Sequence, residues 1–333
     1  MSEFQPSLSV VVVTRDDTRT LQPILAAFGA LPSANRIEMV IVAPDDASAT
    51  ASAEFVRPFG STREIGVGAI VNRGRAAAAG VRAARGAVVA LSENHCFPEP
   101  DWVERVMAAH AVPGRVGVGP AVLNANPERA LSRVAHAAGY GMYLVDHPAG
   151  PREELALHNS SFLREAVTPY EERLEDLLGD ERHLWRTLGD GGAELWFDPS
   201  VRKRHINEAT WELVLGLAWC GGRRYAGVRS RDWPFLRRLV YGVASPLITL
   251  PVFRNVWRLL SVAERKGGVG LRTAAAAIPF ALSQALGEGA AYAFGGQEEF
   301  AFMEDEEFMI RERLGGVAVE HPRVAGFVKE LDR

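Results

Sequence analysis

The residues of this sequence with the clearest chemical potential stand in one short run, Ser92-Glu93-Asn94-His95. A carboxylate and an imidazole are both ligands of divalent metal ions. If the run is extended, Glu93 and His95 point to the same side and Asn94 to the other, because side chains alternate along a strand. A metal ion held there could neutralise a departing phosphate group. A solvated loop is the alternative interpretation, and these four residues alone favour it.

A second candidate is the acidic pair Asp180-Glu181. A carboxylate can act as a general base by taking the proton of an attacking hydroxyl group. Four other acidic residues occur within residues 171–176, and such a run is also typical of an exposed helix. The composition of this segment alone favours the exposed helix.

Short apolar runs predict the strands that must position these residues. Leu8–Val13, Glu38–Val42, Ala69–Val71 and Ala87–Leu91 have the pattern of strands buried on both faces, and helical patterns separate most of them. This alternation predicts an α/β fold with a doubly wound, mostly parallel sheet, which binds ligands beyond the carboxyl ends of its strands. The polar residues expected along that edge are Thr14, Arg15, Asp45, Asn72, Arg73, Glu93, Asn94 and His95.

Composition excludes several classes of protein. The 37 basic and 41 acidic residues give a net charge of −4, so no global feature indicates a nucleic-acid-binding protein. The two cysteines, Cys96 and Cys220, stand far apart and predict neither a disulfide framework nor a metal-ligand pair. The first residues have no secretory-signal pattern, and we therefore expect a cytoplasmic protein.

The segment Leu91–Trp102 resembles the metal-binding strand end of family 2 glycosyltransferases. In that family an acidic triplet precedes a Pro-x-Pro-Asp-Trp helix start, and the match puts Glu93 and His95 on the outer positions of the triplet. Other motifs agree in order, so that the resemblance spans residues 8–207. They are Leu8–Arg15, Asn72–Gly86, Asn159–Arg164, Gly179–Arg186 and Trp196–His205.

This resemblance implies a glycosyltransferase-A-type fold and a sugar transfer from a nucleotide-diphosphate donor with inversion. It assigns the general base to Glu181, with Asp180 as its rival, and a third metal ligand to His205. It also implies that Asp45 contacts the nucleotide base of the donor, that Asn159 lies on the acceptor side, and that a cationic side chain contacts the diphosphate. The implied donor-binding residues are Thr14, Arg15, Asp45, Asn72, Arg73, Arg75 and Asn94.

The sequence departs from the family pattern in three places. The triplet is Glu-Asn-His, and its histidine nitrogen favours Mn²⁺ over Mg²⁺, which prefers oxygen ligands. The aspartate pair after the second strand is shifted to Asp45-Asp46, behind Pro44. Alanines occupy positions 76–79, where the family often has diphosphate contacts, so that Arg73 or Arg75 is expected to substitute.

The expected catalytic domain, which binds the nucleotide sugar, covers residues 1–207. The remainder of the chain predicts two further regions, an apolar helical region at 208–296 and a charged helical tail at 297–333. Arginines and aromatic residues precede the apolar segment Leu236–Leu260, which favours attachment to the inner face of the plasma membrane and a lipid-linked or polysaccharide acceptor. Prolines interrupt this segment and Leu271–Phe294, so interfacial or re-entrant helices are expected rather than clean spans. A buried helical subdomain or a homodimer interface is the alternative.

Three other functions were weighed. A nucleotidyltransferase would usually carry a glycine-rich loop with a lysine after the first strand, and Arg15–Thr18 has none. A dehydrogenase would show Gly-x-Gly-x-x-Gly after Val13, which is absent. A nucleotide-sugar-binding protein that has lost turnover stays open because of the altered triplet.

Overall fold

A computed structural model describes residues 7–16, 18–179, 181–264 and 268–295, apart from the side chains of Leu157 and Glu181. These residues divide into two compact units. One contains residues up to 125 together with 143–205, and the other contains 126–142 together with the residues from 206 onwards. The second unit thus includes the segment 126–142, which lies within the range 1–207 predicted for the catalytic domain. The tail predicted at 297–333 lies outside the described residues.

The first unit contains one mixed sheet of nine strands among the described residues, in the order β3-β2-β1-β4-β8-β6-β9-β5, with β7 paired to β9. β1, β2, β3 and β4 run parallel to one another, β8 is antiparallel to β4 and β6, and β6 is parallel to β9. The mostly parallel α/β sheet is therefore confirmed. The strands are β1 Leu8–Val13, β2 Ile37–Ala43, β3 Ser61–Gly66, β4 Val88–Ser92, β5 Cys96–Pro98, β6 Arg115–Asn124, β7 Gly150–Pro151, β8 Ser161–Leu163 and β9 Glu194–His205.

Helices lie between most strands and make up the second unit. The α-helices are α1 Gln22–Gly29, α2 Asp46–Ala49, α3 Ala53–Val56, α4 Arg73–Ala83, α5 Trp102–His110, α6 Ala130–Tyr140, α7 Arg164–Val167, α8 Leu174–Gly179, α9 Glu181–Asp190, α10 Trp211–Arg229, α11 Phe235–Val243, α12 Ser245–Ala263 and α13 Leu271–Phe294. Short 3-10 helices occur at Thr18–Leu21, Ala34–Arg36, Leu157–Asn159 and Thr168–Arg173.

Three central strands form the core that positions the site. Every residue of β1, β2 and β4 is buried, as their continuous apolar runs predicted. The register pairs Val12 of β1 with Ser92 of β4, and Val13 of β1 with Val42 of β2. The three strands therefore end at nearly the same level, and the residues that follow them share one edge of the sheet.

The predicted third strand at Ala69–Val71 is wrong. The third strand is β3, Ser61–Gly66, and Val71 is 80% exposed in the loop that follows it. β3 is an edge strand whose residues are only partly buried, so its sequence carries charged residues instead of the continuous apolar run that marks a central strand. Asn72 and Arg73 therefore follow a loop and open α4.

α4 and α8 approach each other closely at Gly74. A Cβ atom built on Gly74 would lie 1.8 Å from the Leu178 carbonyl oxygen, so the α8 backbone leaves no room for a side chain. The same contact region joins Asn72 to Gly179, because Asn72 Nδ2 donates to the Gly179 carbonyl oxygen at 3.4 Å. The start of α4 thus fixes the position of the chain immediately before Asp180.

Gly74→Ala is expected to destabilise the protein by about 1–3 kcal/mol, because a new methyl group would overlap backbone that cannot easily move. Gly189→Ala is the matched control, since nothing lies within 4 Å of a Cβ built on this exposed glycine of α9. Alanine there should leave stability equal or raise it by roughly 0.5–1 kcal/mol. Denaturant unfolding checks both variants; equal stability of Gly74→Ala and the parent would refute the close packing.

The second unit is helical. α10, α12, α13 and α6 share an apolar core that includes Val134, Val214, Leu260, Ala277 and Phe280. No single helix of the described residues is long and apolar enough to cross a membrane, but α11 and α12 together meet that test as a pair bent by 67°.

Candidate metal and donor site

A buried group of three potential metal ligands lies beyond the carboxyl end of β4. Glu93, His95 and His205 each offer one ligand atom, and these three atoms lie within 4.8 Å of one another. All three residues are buried. Residues 93–95 form a turn between β4 and β5, so the extended conformation assumed from the sequence is wrong. The turn nevertheless brings the predicted pair together.

His205 reaches the group through strand pairing. β5 and β9 are antiparallel, and their register sets Cys96 opposite His205. The ring centroids of His95 and His205 are consequently 4.6 Å apart, and His205 Nε2 lies 3.3 Å from Glu93 Oε2. The family resemblance assigned His205 to the metal, but its pairing with Cys96 could not be read from the sequence.

The carboxylate of Glu93 is surrounded by donors. Asn159 Nδ2 donates to its Oε2, and Arg73 Nη2 lies 3.5 Å from its Oε1. Burial raises the pKa of this carboxyl, but the hydrogen bond with His205 and the positive charges of His205, Arg73 and His95 outweigh burial and hold the pKa well below its usual value. Glu93 is therefore an anion in the folded protein, which is the form that binds a cation.

Asn94 orients the neighbouring histidine. His95 Nδ1 lies 2.7 Å from Asn94 Oδ1, and because an amide oxygen can only accept, Nδ1 carries the proton. When the ring is neutral, Nε2 keeps its lone pair for a metal ion. The predicted contact of Asn94 with the donor stays a prediction.

Lys203 is a site residue that the sequence analysis missed. This side chain is fully buried, and its Nζ donates to Ser92 Oγ at 2.7 Å and to Asn159 Oδ1 at 2.9 Å. Burial lowers the pKa of Lys203. In the sequence Lys203 stands within the basic run Arg202-Lys203-Arg204. Alternation in β9 puts Lys203 on the same face as His205 and turns Arg202 outward.

Lys203→Met is expected to weaken Mn²⁺ binding about 10- to 100-fold, the usual loss when a residue that orients a metal ligand is removed. Lys203 holds Asn159, and Asn159 in turn holds Glu93. Asn159→Ser should give a similar loss, whereas Arg202→Met is the control and should bind as the parent does. Calorimetric titration with Mn²⁺ measures all three, with circular dichroism to verify folding. Full affinity in Asn159→Ser would show that this connection does not position Glu93.

The predicted donor residues Thr14 and Asp45 follow β1 and β2 at the same edge of the sheet. Thr14 is buried, and its Oγ1 lies 2.8 Å from that of Thr20. Asp45 is exposed and caps α2 by accepting from the Ser48 backbone N–H at 2.8 Å; this hydrogen bond and that from the Ser48 hydroxyl lower the pKa of Asp45. Arg15 is half-buried. None of these three is part of the group around Glu93.

The start of α4 carries the other donor candidates. Asn72 caps the helix, since its Oδ1 accepts from the Arg75 backbone N–H at 2.7 Å. Arg73 is buried against Glu93, whereas Arg75 is exposed and a Cβ on Gly179 would lie 3.0 Å from its side chain. A helix N-terminus with two arginines is a favourable place for a phosphate group.

The predicted base lies at the limit of the described structure. Asp180 is outside the described residues, and Glu181 begins α9 without a described side chain. The assignment of the base to either residue therefore stays a prediction.

The donor set fits a divalent metal ion. Two ligands in an octahedron with bonds of 2.0–2.1 Å are about 3 Å apart, and the 3.3 Å between Glu93 Oε2 and His205 Nε2 is close to that spacing. Carboxylates and imidazoles are both ligands of divalent transition-metal ions.

Residues 9–167 match the family model described as glycosyl transferase family 2. This part of the chain is a family 2 glycosyltransferase domain. The matched residues include Glu93, His95 and Asn159, whereas Asp180, Glu181 and His205 lie beyond them. Among curated proteins no match was found.

Two solved structures resemble this chain at a distance. One is the mannosyltransferase PcManGT from Pyrobaculum calidifontis in complex with GDP-Man and Mn²⁺, with 14% identity, a TM-score of 0.48, and coverage of 98% of this chain and 86% of that chain. The other is GalNAc-T7 with UDP, GalNAc and Mn²⁺, with 13% identity, a TM-score of 0.44, and coverage of 60% and 43% respectively. Similarities this distant assign neither a substrate nor a metal.

Proposed function

We propose that this glycosyltransferase moves a sugar from a nucleotide-diphosphate donor to an acceptor hydroxyl group, with inversion and with the help of a divalent metal ion. The observation that carries the proposal is the convergence of Glu93, His95 and His205 at the carboxyl end of β4, with Glu93 and His95 inside the segment that matches the family 2 model.

Glu93, His95 and His205 would hold the cation. Mn²⁺ is favoured over Mg²⁺ because two of the three ligands are nitrogens and Mg²⁺ prefers oxygen ligands. The bound ion would supply positive charge beside the diphosphate leaving group. Arg73 and the N-terminus of α4 add further positive charge at the same edge of the sheet, so that they bind and orient the diphosphate.

On the acceptor side, one carboxylate of the pair Asp180-Glu181 removes the proton of the attacking hydroxyl group as its oxygen reaches the anomeric carbon. Attack from the face opposite the leaving group inverts the configuration. Asn159 would bound the acceptor pocket. We propose as acceptor a lipid-linked sugar or a polysaccharide, which the enzyme reaches at the cytoplasmic face of the membrane.

A thermal-shift screen of nucleotide sugars with and without Mn²⁺ identifies the donor, and release of nucleoside diphosphate then tests turnover. We expect a donor whose stabilising effect requires Mn²⁺, with metal-dependent release and a product of inverted anomeric configuration by proton NMR. Metal-dependent donor binding without any release would instead favour the nucleotide-sugar-binding protein. A product of retained configuration would contradict inversion.

A further inference from the structure

α11 and the first half of α12 expose an unusual amount of apolar surface. Six large apolar residues there are each more than half exposed, and we refer to them as the α11–α12 face. The most exposed flank the 67° bend between the two helices, with Val243 at 77% and Leu247 at 78%. The members of the face are Phe235, Leu236, Val240, Val243, Leu247 and Leu250.

The opposite side of α11 is fixed to α13. Arg238 Nε donates to the Tyr292 carbonyl oxygen at 2.9 Å, and Trp233 stacks on the Tyr292 ring with centroids 5.4 Å apart. At the bend, a Cβ on Gly289 would lie 2.1 Å from Ser245 Oγ, so the Ser245 side chain packs directly against the α13 backbone. These contacts hold α11 in an orientation that leaves the apolar residues outward.

The charged residues of α11 and α12 are all of one sign. Residues 233–263 contain four arginines, Arg237, Arg238, Arg254 and Arg258, and neither aspartate nor glutamate, although the whole chain has a net charge of −4. Arg237, Arg254 and Arg258 are exposed. Exposed apolar side chains beside arginines and a partly exposed tryptophan, Trp257, suit an anionic lipid surface, where apolar groups enter the acyl boundary and cations contact headgroups.

We propose that the α11–α12 face inserts into the headgroup layer of an anionic bilayer and holds the enzyme at the membrane surface. Because neither helix alone meets the test for a span, the pair lies in the interface with its bend as the deepest point. This binding needs neither donor nor acceptor, so it can be tested separately from sugar transfer.

Two other occupants were compared with the bilayer. A second copy of the same face would bring two sets of arginines together with no acidic partner within residues 233–263. The chain's own tail contains acidic residues at 304–307, so its sequence is complementary in charge. The bilayer is favoured because it accounts for the apolar residues, the arginines and the aromatic residues together.

Flotation of the full-length protein with phosphatidylcholine vesicles, with and without phosphatidylglycerol, tests the proposal. We expect binding only to the anionic vesicles and weaker binding at high salt. Loss of two charges in Arg237→Gln/Arg254→Gln should reduce partitioning about 30-fold, from about 1 kcal/mol for each arginine. Phe235→Ser/Val243→Ser/Leu247→Ser should reduce it at least as much. Arg57→Gln and Val112→Ser, exposed sites in the first unit, are the controls.

Absence of vesicle binding by the full-length protein would overturn the proposal, as would equal binding to neutral and anionic vesicles. Binding that appears only after removal of residues 296–333 would identify the tail as the occupant. If light scattering shows a dimer that the triple substitution dissociates, and the protein does not bind lipid, a second copy of the chain is the occupant of the face. Equal loss in the control variants would show that the effect is not specific to this face.

Discussion

Glu93→Gln is expected to weaken Mn²⁺ binding by about 100-fold or more and to abolish metal-dependent donor binding. Loss of an outer partner of a metal ligand typically costs 10- to 100-fold in affinity, and loss of the charged ligand itself should cost at least as much. Glutamine keeps the size of the side chain and can still accept from Asn159, so the change removes the charge with little change in shape. Titration calorimetry with Mn²⁺ and then with the donor measures both effects.

The matched control is Glu99→Gln, six residues further along. Glu99 forms an ion pair with Arg204 at 2.5 Å and is not part of the ligand group. The Glu99→Gln variant should bind Mn²⁺ as the parent protein does. Because glutamine at 93 removes a negative charge that pairs with the buried Arg73, unfolding curves must accompany the titrations. Unchanged Mn²⁺ affinity in a folded Glu93→Gln protein would remove Glu93 from the metal site.

Glu181→Gln is expected to reduce the rate of transfer by about 10²- to 10⁴-fold, the usual contribution of a general base, and to leave donor affinity nearly unchanged. The loss should appear in kcat rather than in the dissociation constant of the donor, because the base acts on the acceptor hydroxyl. Single-turnover rates at saturating donor, together with donor titrations, separate the two quantities.

Asp180→Asn decides between the two members of the pair. If Glu181 is the base, Asp180→Asn should lose far less activity, and Glu175→Gln should lose none, since Glu175 pairs with Arg82 at 3.0 Å. A large loss in Asp180→Asn with normal turnover in Glu181→Gln would transfer the role to Asp180. Full activity in both variants would contradict a base at this position.

The sequence was sufficient for the central strands and for the ligand group. β1, β2 and β4 are buried on both faces, and burial of that kind requires the continuous apolar runs from which they were predicted. Glu93 and His95 were candidates because ligand residue types follow directly after a buried strand, and the family resemblance then favoured a metal site over a solvated loop. His205 was identified through the family resemblance and not through any local pattern.

Other features depend on contacts between distant segments and could not be predicted. β3 lies at the sheet edge, where its residues are not fully buried. Charged residues are tolerated there, so the sequence lacks the apolar run that marks a central strand. Lys203 acquires its role from Ser92 and Asn159, which are far from it in the chain. Within residues 117–205, the short β8 pairs with both β4 and β6, and its three residues give no periodicity to detect.

The most direct test of the account is electron paramagnetic resonance of the full-length protein titrated with Mn²⁺, with electron spin echo detection of directly bound nitrogen. The account predicts one bound Mn²⁺ with nitrogen coupling from two imidazoles, reduced to one in His205→Asn and again to one in His95→Asn. Mn²⁺ that binds equally well to all three proteins without nitrogen coupling would contradict a metal site made of Glu93, His95 and His205.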